Sequence, residues 1–246
     1  MMPTTHIEQS FGRAAERYIR HAAVQRDLAR WLSEWAPSLR RGQALELGAG
    51  PGVLTEFLLP WKGEYLASDL SSAMCTAGRK RFPDIGWRRA AAENPPPGPW
   101  NWIFTSSMLQ WVDDPALVLR ACRGALAPGG RILAGFFVAP TLPEWERTVR
   151  CNADIFPLSW RTDAHWRRAA EQAGLRVLRC ESESRTFVYP SAREFLRSLH
   201  AVGAAPTRRL PAPALRRALA FYEDHFKEGT QGVRSTWTFC RIEASN

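Results

Sequence analysis

The 246-residue chain is long enough for one large domain or two small ones, and its 45% apolar content excludes global disorder. No apolar stretch of signal-peptide or transmembrane length occurs, which predicts a cytoplasmic protein that makes no use of a membrane. The formal net charge of +9 fits an acidic partner or an arginine-rich solvated surface, and charge alone does not decide between them. The five cysteines have no metal-ligand or redox spacing, so we expect reduced thiols and no metal site.

The first half of the chain alternates predicted helices and strands. It begins with a helix over residues 7–36, in which apolar residues recur at steps of three or four until Pro37 breaks the pattern. Five strands are predicted after it, at residues 43–47, 64–68, 87–91, 102–106 and 131–138. Helices are predicted between them at residues 53–60, 72–81 and 115–126, and a Pro-Gly-Gly stretch at 128–130 stops the last one. This alternation predicts an α/β fold with a parallel sheet and helices on both faces.

After Pro140 the pattern changes, and helices outnumber strands. Helices are predicted at residues 145–156, 163–173, 191–201 and 213–226. Strands are predicted at residues 175–189 and 236–242. The late helices need not form a separate domain, because they can also build a lid on the sheet.

A glycine-rich turn follows the first predicted strand, with Gly48, Gly50 and Gly52 at alternate positions. Glycines let the backbone turn sharply and approach a ligand without Cβ clashes, although an ordinary tight turn is the alternative for the glycines alone. A dinucleotide-binding turn would place its third glycine at position 53, which is Val53. The observed spacing is instead that of turns that bind S-adenosylmethionine.

Asp69 ends the second predicted strand, and Leu70 follows it. An acid at this place can accept hydrogen bonds from both ribose hydroxyls of a nucleoside, whereas an isolated aspartate after a strand is more often a cap or turn residue. Met74, further along the following helix, is placed either to pack on the adenine or to join the core. The combination of this acid with the glycine turn favours a nucleoside-containing cofactor.

With these residues the chain resembles a class I methyltransferase and, more narrowly, the malonyl-[acyl-carrier protein] O-methyltransferases of biotin synthesis. The narrower resemblance rests on four stretches, which are residues 11–15 (Phe-Gly-Arg-Ala-Ala) with Tyr18, Ala22 and Gln25, residues 108–111 (Met-Leu-Gln-Trp), residues 141–144 (Thr-Leu-Pro-Glu) and residues 198–204 (Ser-Leu-His-Ala-Val-Gly-Ala). Together they span most of the chain.

The resemblance implies a Rossmann-like fold with a mostly parallel seven-stranded sheet, helices on both faces and a helical lid. The whole of residues 1–246 would form one methyltransferase domain, made of a capping helix (7–36), a cofactor-binding core (43–138), a lid and substrate region (140–226) and a closing strand (236–242). The implied cofactor-binding residues are Glu46, Gly48, Gly50, Gly52, Asp69, Leu70, Met74, Glu93 and Ser106. Glu93 would substitute for the adenine-binding acid that the family carries where this chain has Ala91.

The activity that the resemblance implies is methyl ester formation on the free carboxylate of malonyl-acyl carrier protein, or of malonyl-CoA, with S-adenosylmethionine as methyl donor. Since such a carboxylate is already ionised at pH 7, no general base is needed. A buried carboxylate does need a cation or several donors, and Tyr18, Arg13 and Arg161 are the candidates for orienting it.

Three other functions remain open from the sequence. One is methylation of another small carboxylate or of a quinone carbon, and a second is a non-enzymatic factor that keeps the fold. The third is methylation of RNA, but no basic run with interleaved aromatic residues is evident, so we expect no nucleic-acid partner.

Overall fold

Residues 18–151, 159–202 and 211–246 are described by the computed structural model of the chain, and the structural statements below refer to these residues. Arg13, the first part of the predicted capping helix and the predicted helical residues 152–156 lie outside them.

A seven-stranded sheet forms the centre of the described part of the chain. Its strands are β1 (Ala44–Leu47), β2 (Tyr65–Asp69), β3 (Gly86–Arg89), β4 (Trp100–Ser106), β5 (Leu126–Phe137), β6 (Arg176–Tyr189) and β7 (Val233–Ser245). They lie in the order β3-β2-β1-β4-β5-β7-β6. The first five strands pair in parallel, and β7 runs antiparallel between β5 and β6. Successive strands are therefore added on one side of β1 up to β3 and on its other side from β4 onwards. Open parallel sheets bind ligands at such a switch point, which lies here between β1 and β4.

The helices connect the strands and continue beyond them. They are α1 (Tyr18–His21), α2 (Ala23–Ser33), α3 (Thr55–Leu58), α4 (Ser72–Arg81), α5 (Pro115–Ala125), α6 (Pro143–Arg150), α7 (Asp163–Gln172), α8 (Ala192–Ala201) and α9 (Ala212–His225), with a 3-10 turn at Leu109–Trp111. Capping side chains at Ser71, Asp114, Thr162 and Ser191 each accept a hydrogen bond from a backbone N–H in the first turn of α4, α5, α7 and α8. No helix in the described ranges is both long and apolar enough to cross a membrane.

Two apolar cores cover the two faces of the sheet, because successive side chains of a strand point to opposite faces. On β4, Phe104 packs in the core beneath α2, α3, α4, α6, α8 and α9, and Ile103 packs in the core beneath α5 and α7. On β5, Phe137 and Phe136 divide between the same two cores. The predicted α/β fold with helices on both faces is confirmed.

The helix α2 is held over the sheet by a buried arginine of β7, Arg241. The guanidinium of Arg241 donates to the carbonyl oxygen of Trp31 and pairs with Glu34 at 3.0 Å and Glu181 at 2.9 Å. It also lies 4.0 Å from the centroid of the Trp31 ring and 4.3 Å from that of Trp35. Because its charge is both paired and stacked on aromatic faces, this arginine can be buried where α2 meets the sheet.

The motif at residues 141–144 fastens α6 to the same strand. Glu144 is buried, and its carboxylate accepts hydrogen bonds from the backbone N–H of Thr236 at 3.0 Å and from its hydroxyl at 2.6 Å. The Thr141 hydroxyl donates to the carbonyl oxygen of Val138 and accepts from the N–H of Thr238. These two side chains fix the point at which the chain leaves β5 and enters its helical second half.

Several element bounds differ from the sequence-based predictions. The strand predicted at 131–138 is β5, which begins at Leu126, because Leu126 pairs with Trp100 and Arg131 with Trp102, leaving residues 127–130 as a bulge. The closing strand predicted at 236–242 extends over Val233–Ser245, because β7 pairs on both sides. The helix predicted at 53–60 is reduced to Thr55–Leu58, and the described part of the capping helix is broken at Ala22 and ends at Ser33. The assignment of residues 140–226 as a lid in a single domain stays a prediction.

Candidate active site

A cavity opens at the carboxyl ends of β1, β2 and β4, where the topology predicts a ligand site. Its lining includes the predicted site residues Tyr18, Glu46, Gly48, Gly50, Asp69, Leu70, Met74, Glu93 and Ser106. Gly52 and Arg161 are not among the lining residues that the structure describes. One cavity therefore collects residues from α1, the glycine turn, the end of β2, the loop after β3 and the end of β4.

The three glycines of the turn all adopt positive φ angles, +64° at Gly48, +57° at Gly50 and +87° at Gly52. A Cβ on Gly48 would lie 2.3 Å from the Met108 side chain, and one on Gly52 would lie 2.6 Å from the Phe82 ring. A Cβ on Gly50 would meet nothing within 4 Å. Two glycines are therefore required by packing inside the protein, whereas Gly50 leaves a bare stretch of backbone facing the cavity.

Asp69 ties the end of β2 to this turn. Its carboxylate accepts hydrogen bonds from the backbone N–H of Gly50 at 2.9 Å and from that of Ser71 at 2.8 Å. Asp69 lines the cavity, and a carboxylate oxygen can accept more than one hydrogen bond. This geometry suits an acid that receives ribose hydroxyls beside the glycine turn.

Glu46 lies beneath the turn and is buried. Its Oε2 atom accepts hydrogen bonds from the hydroxyls of Thr55 at 2.7 Å and Tyr65 at 2.5 Å. Burial raises the pKa of Glu46 to about 7, an increase that these two hydrogen bonds reduce and the nearby charge of Asp69 enlarges. The strand-1 acid is therefore held by the fold itself and links β1, α3 and β2.

The raised pKa of Glu46 makes the stability of the protein depend on pH. Between pH 4.5 and about 7 the unfolded chain loses the Glu46 proton while the folded chain keeps it, so folded-state stability falls as pH rises through this window. We expect Glu46→Gln to be more stable than the unsubstituted protein above pH 7, by roughly 3 kcal/mol, and to match it near pH 4. Thermal unfolding across this range measures the effect. The exposed Glu64→Gln is the control, and an equal pH response in both variants would contradict the assignment.

The remaining cofactor candidates line the same cavity. Met74 is buried, Leu70 is half-buried, and Ala91 and Ala92 complete an apolar surface beside them. Glu93 is exposed at the rim of the same cavity, two residues after Ala91. A flat apolar ring could pack on this surface with its polar edge towards Glu93.

The candidates for orienting an acceptor are distributed differently. Tyr18 is buried and lines the cavity, and burial with the charge of Asp69 raises the pKa of its hydroxyl, which therefore stays protonated. The guanidinium of Arg161 donates to the carbonyl oxygen of Asp113 at 2.8 Å and lies 5.7 Å from the Trp166 ring. Arg13 lies outside the described residues. Of the two candidates within the described residues, Tyr18 lines the cavity and Arg161 does not.

The lining also contains residues that the sequence did not assign to the site, and among them are Gln25, Ser107 and Trp111. Gln25 and Trp111 belong to stretches that carry the family resemblance, and this resemblance is the sequence signal that could have assigned them to the site. Ser107 gave none, because its unusual backbone, with φ at +57°, is a property of the folded chain. Within the described ranges, no group of three or more His, Cys, Asp or Glu side chains could hold a metal ion.

Comparisons with known proteins identify relatives of this chain. A family model described as a methyltransferase domain matches residues 45–132, which include the glycine turn and β1 to β4. A malonyl-[acyl-carrier protein] O-methyltransferase of Alcanivorax borkumensis is 32% identical, over 97% of this chain and 85% of that protein. One of a Paenibacillus species is 28% identical, over 98% of this chain and 99% of that protein.

The fold has solved counterparts as well. The structure of the YcgJ protein from Bacillus subtilis superposes with a TM-score of 0.67 at 14% identity, covering 89% of this chain and 98% of that one. The predicted Rossmann-like fold of the class I methyltransferases is thereby confirmed. Because its identity with its curated relatives extends over nearly the whole chain, the chain belongs to the malonyl-[acyl-carrier protein] O-methyltransferase family and is an S-adenosylmethionine-dependent methyltransferase.

Proposed function

We propose that this enzyme methylates the free carboxylate of a malonyl group carried on acyl carrier protein, in the cytoplasm and as an early step of biotin synthesis. Relatives named for this reaction support the proposal. The observation that carries it is that one cavity joins Asp69 and the glycine turn to Ser106, Ser107 and Trp111, so that a methyl donor and an acceptor can meet in it.

The residues of the cavity fit S-adenosylmethionine. Gly50 offers open space where any side chain would project into the cavity, and Asp69 offers a carboxylate for the ribose hydroxyls. Leu70 and Met74 would pack on the adenine, with Glu93 near its amino group. When bound, S-adenosylmethionine supplies a methyl group on a positively charged sulfur.

The protein contributes to the methyl transfer mainly by positioning the donor and the acceptor and by excluding water from them. The acceptor carboxylate has an ordinary pKa near ~4, so it is ionised at pH 7 and its methylation releases no proton. Holding the reacting groups in line can contribute about 7–11 kcal/mol to lowering the barrier. We assign Tyr18, whose hydroxyl is protonated, to donate towards the acceptor, and residues 140–226 to enclose it.

Mass spectrometry of malonyl-acyl carrier protein, incubated with the enzyme and S-adenosylmethionine, tests the proposal. The expected product is heavier by ~14 Da, the net mass gained when a methyl group replaces a hydrogen. Free malonate and acetyl-acyl carrier protein serve as controls that lack the carrier or the free carboxylate. Methylation of free malonate with no product on the carrier would contradict the proposal.

The docking of the acidic carrier protein gives a second expectation. Arg216 and Arg217 are exposed on α9, on the face of the sheet that also carries α1 and the cavity-lining Tyr18. Reversing both to glutamate should raise the KM for malonyl-acyl carrier protein several-fold at low salt and leave the KM for malonyl-CoA unchanged. The matched control reverses Arg167 and Arg168, an exposed pair on α7 on the opposite face. Equal KM values in the two reversed variants would show that α9 does not dock the carrier.

A further inference from the structure

A group of buried polar atoms without hydrogen-bond partners lies where β4 ends. Within the described part of the chain, Ser106 Oγ, Ser107 Oγ, Gln110 Oε1 and Trp160 Nε1 are all buried and find no partner. Buried polar groups are nearly always hydrogen-bonded in folded proteins, so several unpaired atoms in one place call for an explanation. Three of them, the two hydroxyls and the indole N–H, are hydrogen-bond donors.

These donors belong to one region of the fold. Ser106 pairs with Gly135 of β5, and the N–H of Ser107 donates to the Gly135 carbonyl oxygen at 2.8 Å. Two residues further along β5, the ring of Phe137 packs against the ring of Trp160 with centroids 6.0 Å apart. The Trp160 ring also lies 6.4 Å from that of Trp111, which lines the cavity. The Trp160 indole therefore packs beside Trp111, which lines the cavity, and on the β5 residue two positions beyond the one that pairs with Ser106, while Trp160 itself is not among the lining residues that the structure describes.

Ser107 is held in a conformation that the sequence alone would not require. Its φ of +57° is costly for a residue with a Cβ, and such strained positions are concentrated at functional sites. Gln110 fixes it, because its side-chain N–H donates to the Ser107 carbonyl oxygen at 2.9 Å. The strained backbone keeps Ser107 in the cavity wall, with its hydroxyl unpaired.

The charges of the cavity restrict what these donors can bind. Its described lining contains the acids Glu46, Asp69, Glu93 and Asp113 and no arginine, lysine or histidine. An anion bound here would therefore be held by neutral donors and by the positive sulfur of the methyl donor. A carboxylate, which only accepts hydrogen bonds, matches an unpaired hydroxyl and an unpaired indole N–H.

We propose that Ser107 Oγ and Trp160 Nε1 bind the free carboxylate of the acceptor, and that Gln110 is the positioning residue that holds Ser107. This rests on the proposed function, because it assigns the carboxylate-binding part of that same cavity. Neutral donors keep the bound carboxylate reactive. A bidentate ion pair with arginine would stabilise the fully charged carboxylate of the ground state more than the transition state, in which this charge is being lost.

Kinetics of Ser107→Ala and Trp160→Phe with malonyl-acyl carrier protein test the assignment. Each variant should raise the KM about tenfold or more, the loss expected for a hydrogen bond to a charged group, and should leave the Kd for S-adenosylmethionine within about twofold. The matched controls are Ser245→Ala and Trp166→Phe, which remove a buried unpaired hydroxyl and a buried unpaired indole N–H outside the cavity lining that the structure describes. Ser107→Gly lacks the hydroxyl but relieves the positive φ, so it replaces Ser107→Ala if that variant does not fold.

Two further measurements separate binding from structural effects. Malonyl-CoA and its methyl ester, titrated in the presence of S-adenosylhomocysteine, should differ in affinity for the unsubstituted enzyme, and this difference should be several-fold smaller for Trp160→Phe, in which only the Ser107 hydroxyl remains. Gln110→Ala should raise the KM, and should add nothing further to Ser107→Ala.

The outcomes also distinguish the two proposals. If the unsubstituted enzyme leaves malonyl-acyl carrier protein unmethylated, both the proposed function and this assignment fall. If it methylates the carrier-bound malonyl group but Ser107→Ala and Trp160→Phe have the KM values of their controls, the function stands and the assignment of the carboxylate site is wrong.

Discussion

Replacing Gly50 with valine is expected to abolish cofactor binding, with the Kd for S-adenosylmethionine raised at least about 100-fold, or roughly 2.7 kcal/mol. The reason is steric, because a Cβ on Gly50 projects into open space in the cavity, where the bare backbone faces the ligand. Isothermal titration with S-adenosylmethionine measures the effect directly.

The same substitution also strains the backbone, and this contribution needs its own control. Gly229 has a φ of +55°, and a Cβ there would likewise meet nothing within 4 Å, but it does not line the cavity. Gly229→Val should therefore lose a similar amount of stability, about 1–2 kcal/mol, and keep normal cofactor affinity. If both variants bound the cofactor equally well, the assignment of Gly50 to the cofactor site would be refuted.

Removing the carboxylate of Asp69 is expected to have the second largest effect. Asp69→Ala should weaken S-adenosylmethionine binding by about 1–3 kcal/mol, because the ribose hydroxyls lose a charged acceptor. The variant should also unfold at a lower temperature, since the N–H groups of Gly50 and Ser71 lose their acceptor too.

A capping aspartate outside the cavity separates the two effects. Asp114 accepts a hydrogen bond from the N–H of Leu117 at 3.0 Å at the start of α5 and is not part of the cavity lining. Asp114→Ala should cost stability of about 1 kcal/mol and leave the Kd unchanged. An Asp69→Ala variant that behaved in the same way would reduce Asp69 to a structural residue.

Much of the fold is predictable from local sequence because local signals and tertiary packing agree. Helix α4 has the predicted bounds 72–81, since Ser71 caps its start and its buried residues Met74 and Cys75 face the core. The start of β5 was missed because Pro128 and Gly129 are typical of a chain break. Here they lie in a bulge that only the pairing with β4 accommodates.

The proposed cofactor-binding residues and the proposed carboxylate-binding residues also differ in how far the sequence predicts them. Gly50 and Asp69 are predictable because the turn and the strand end that carry them are close in sequence and have a fixed spacing. Trp160 is not, because its position depends on packing against Trp111, Phe137 and Trp237, which lie far from it in the chain. That its indole N–H is buried without a hydrogen-bond partner can be known only from the folded structure.

The position of β7 between β5 and β6 has a consequence for the nascent chain. Within the described residues β6 pairs only with β7, which is synthesised after it, so for a time the ribosome presents a strand of 14 residues with no partner. Unpaired strand edges recruit strands of other chains, and charged side chains are the usual protection against this. The strand carries charges along its length, at Arg176, Arg179, Glu181, Glu183 and Arg185. We expect these charges to oppose aggregation of β6 until β7 is made, in addition to the ion pairs that Arg179 and Glu181 form with Glu243 and Arg241 of β7 in the folded protein.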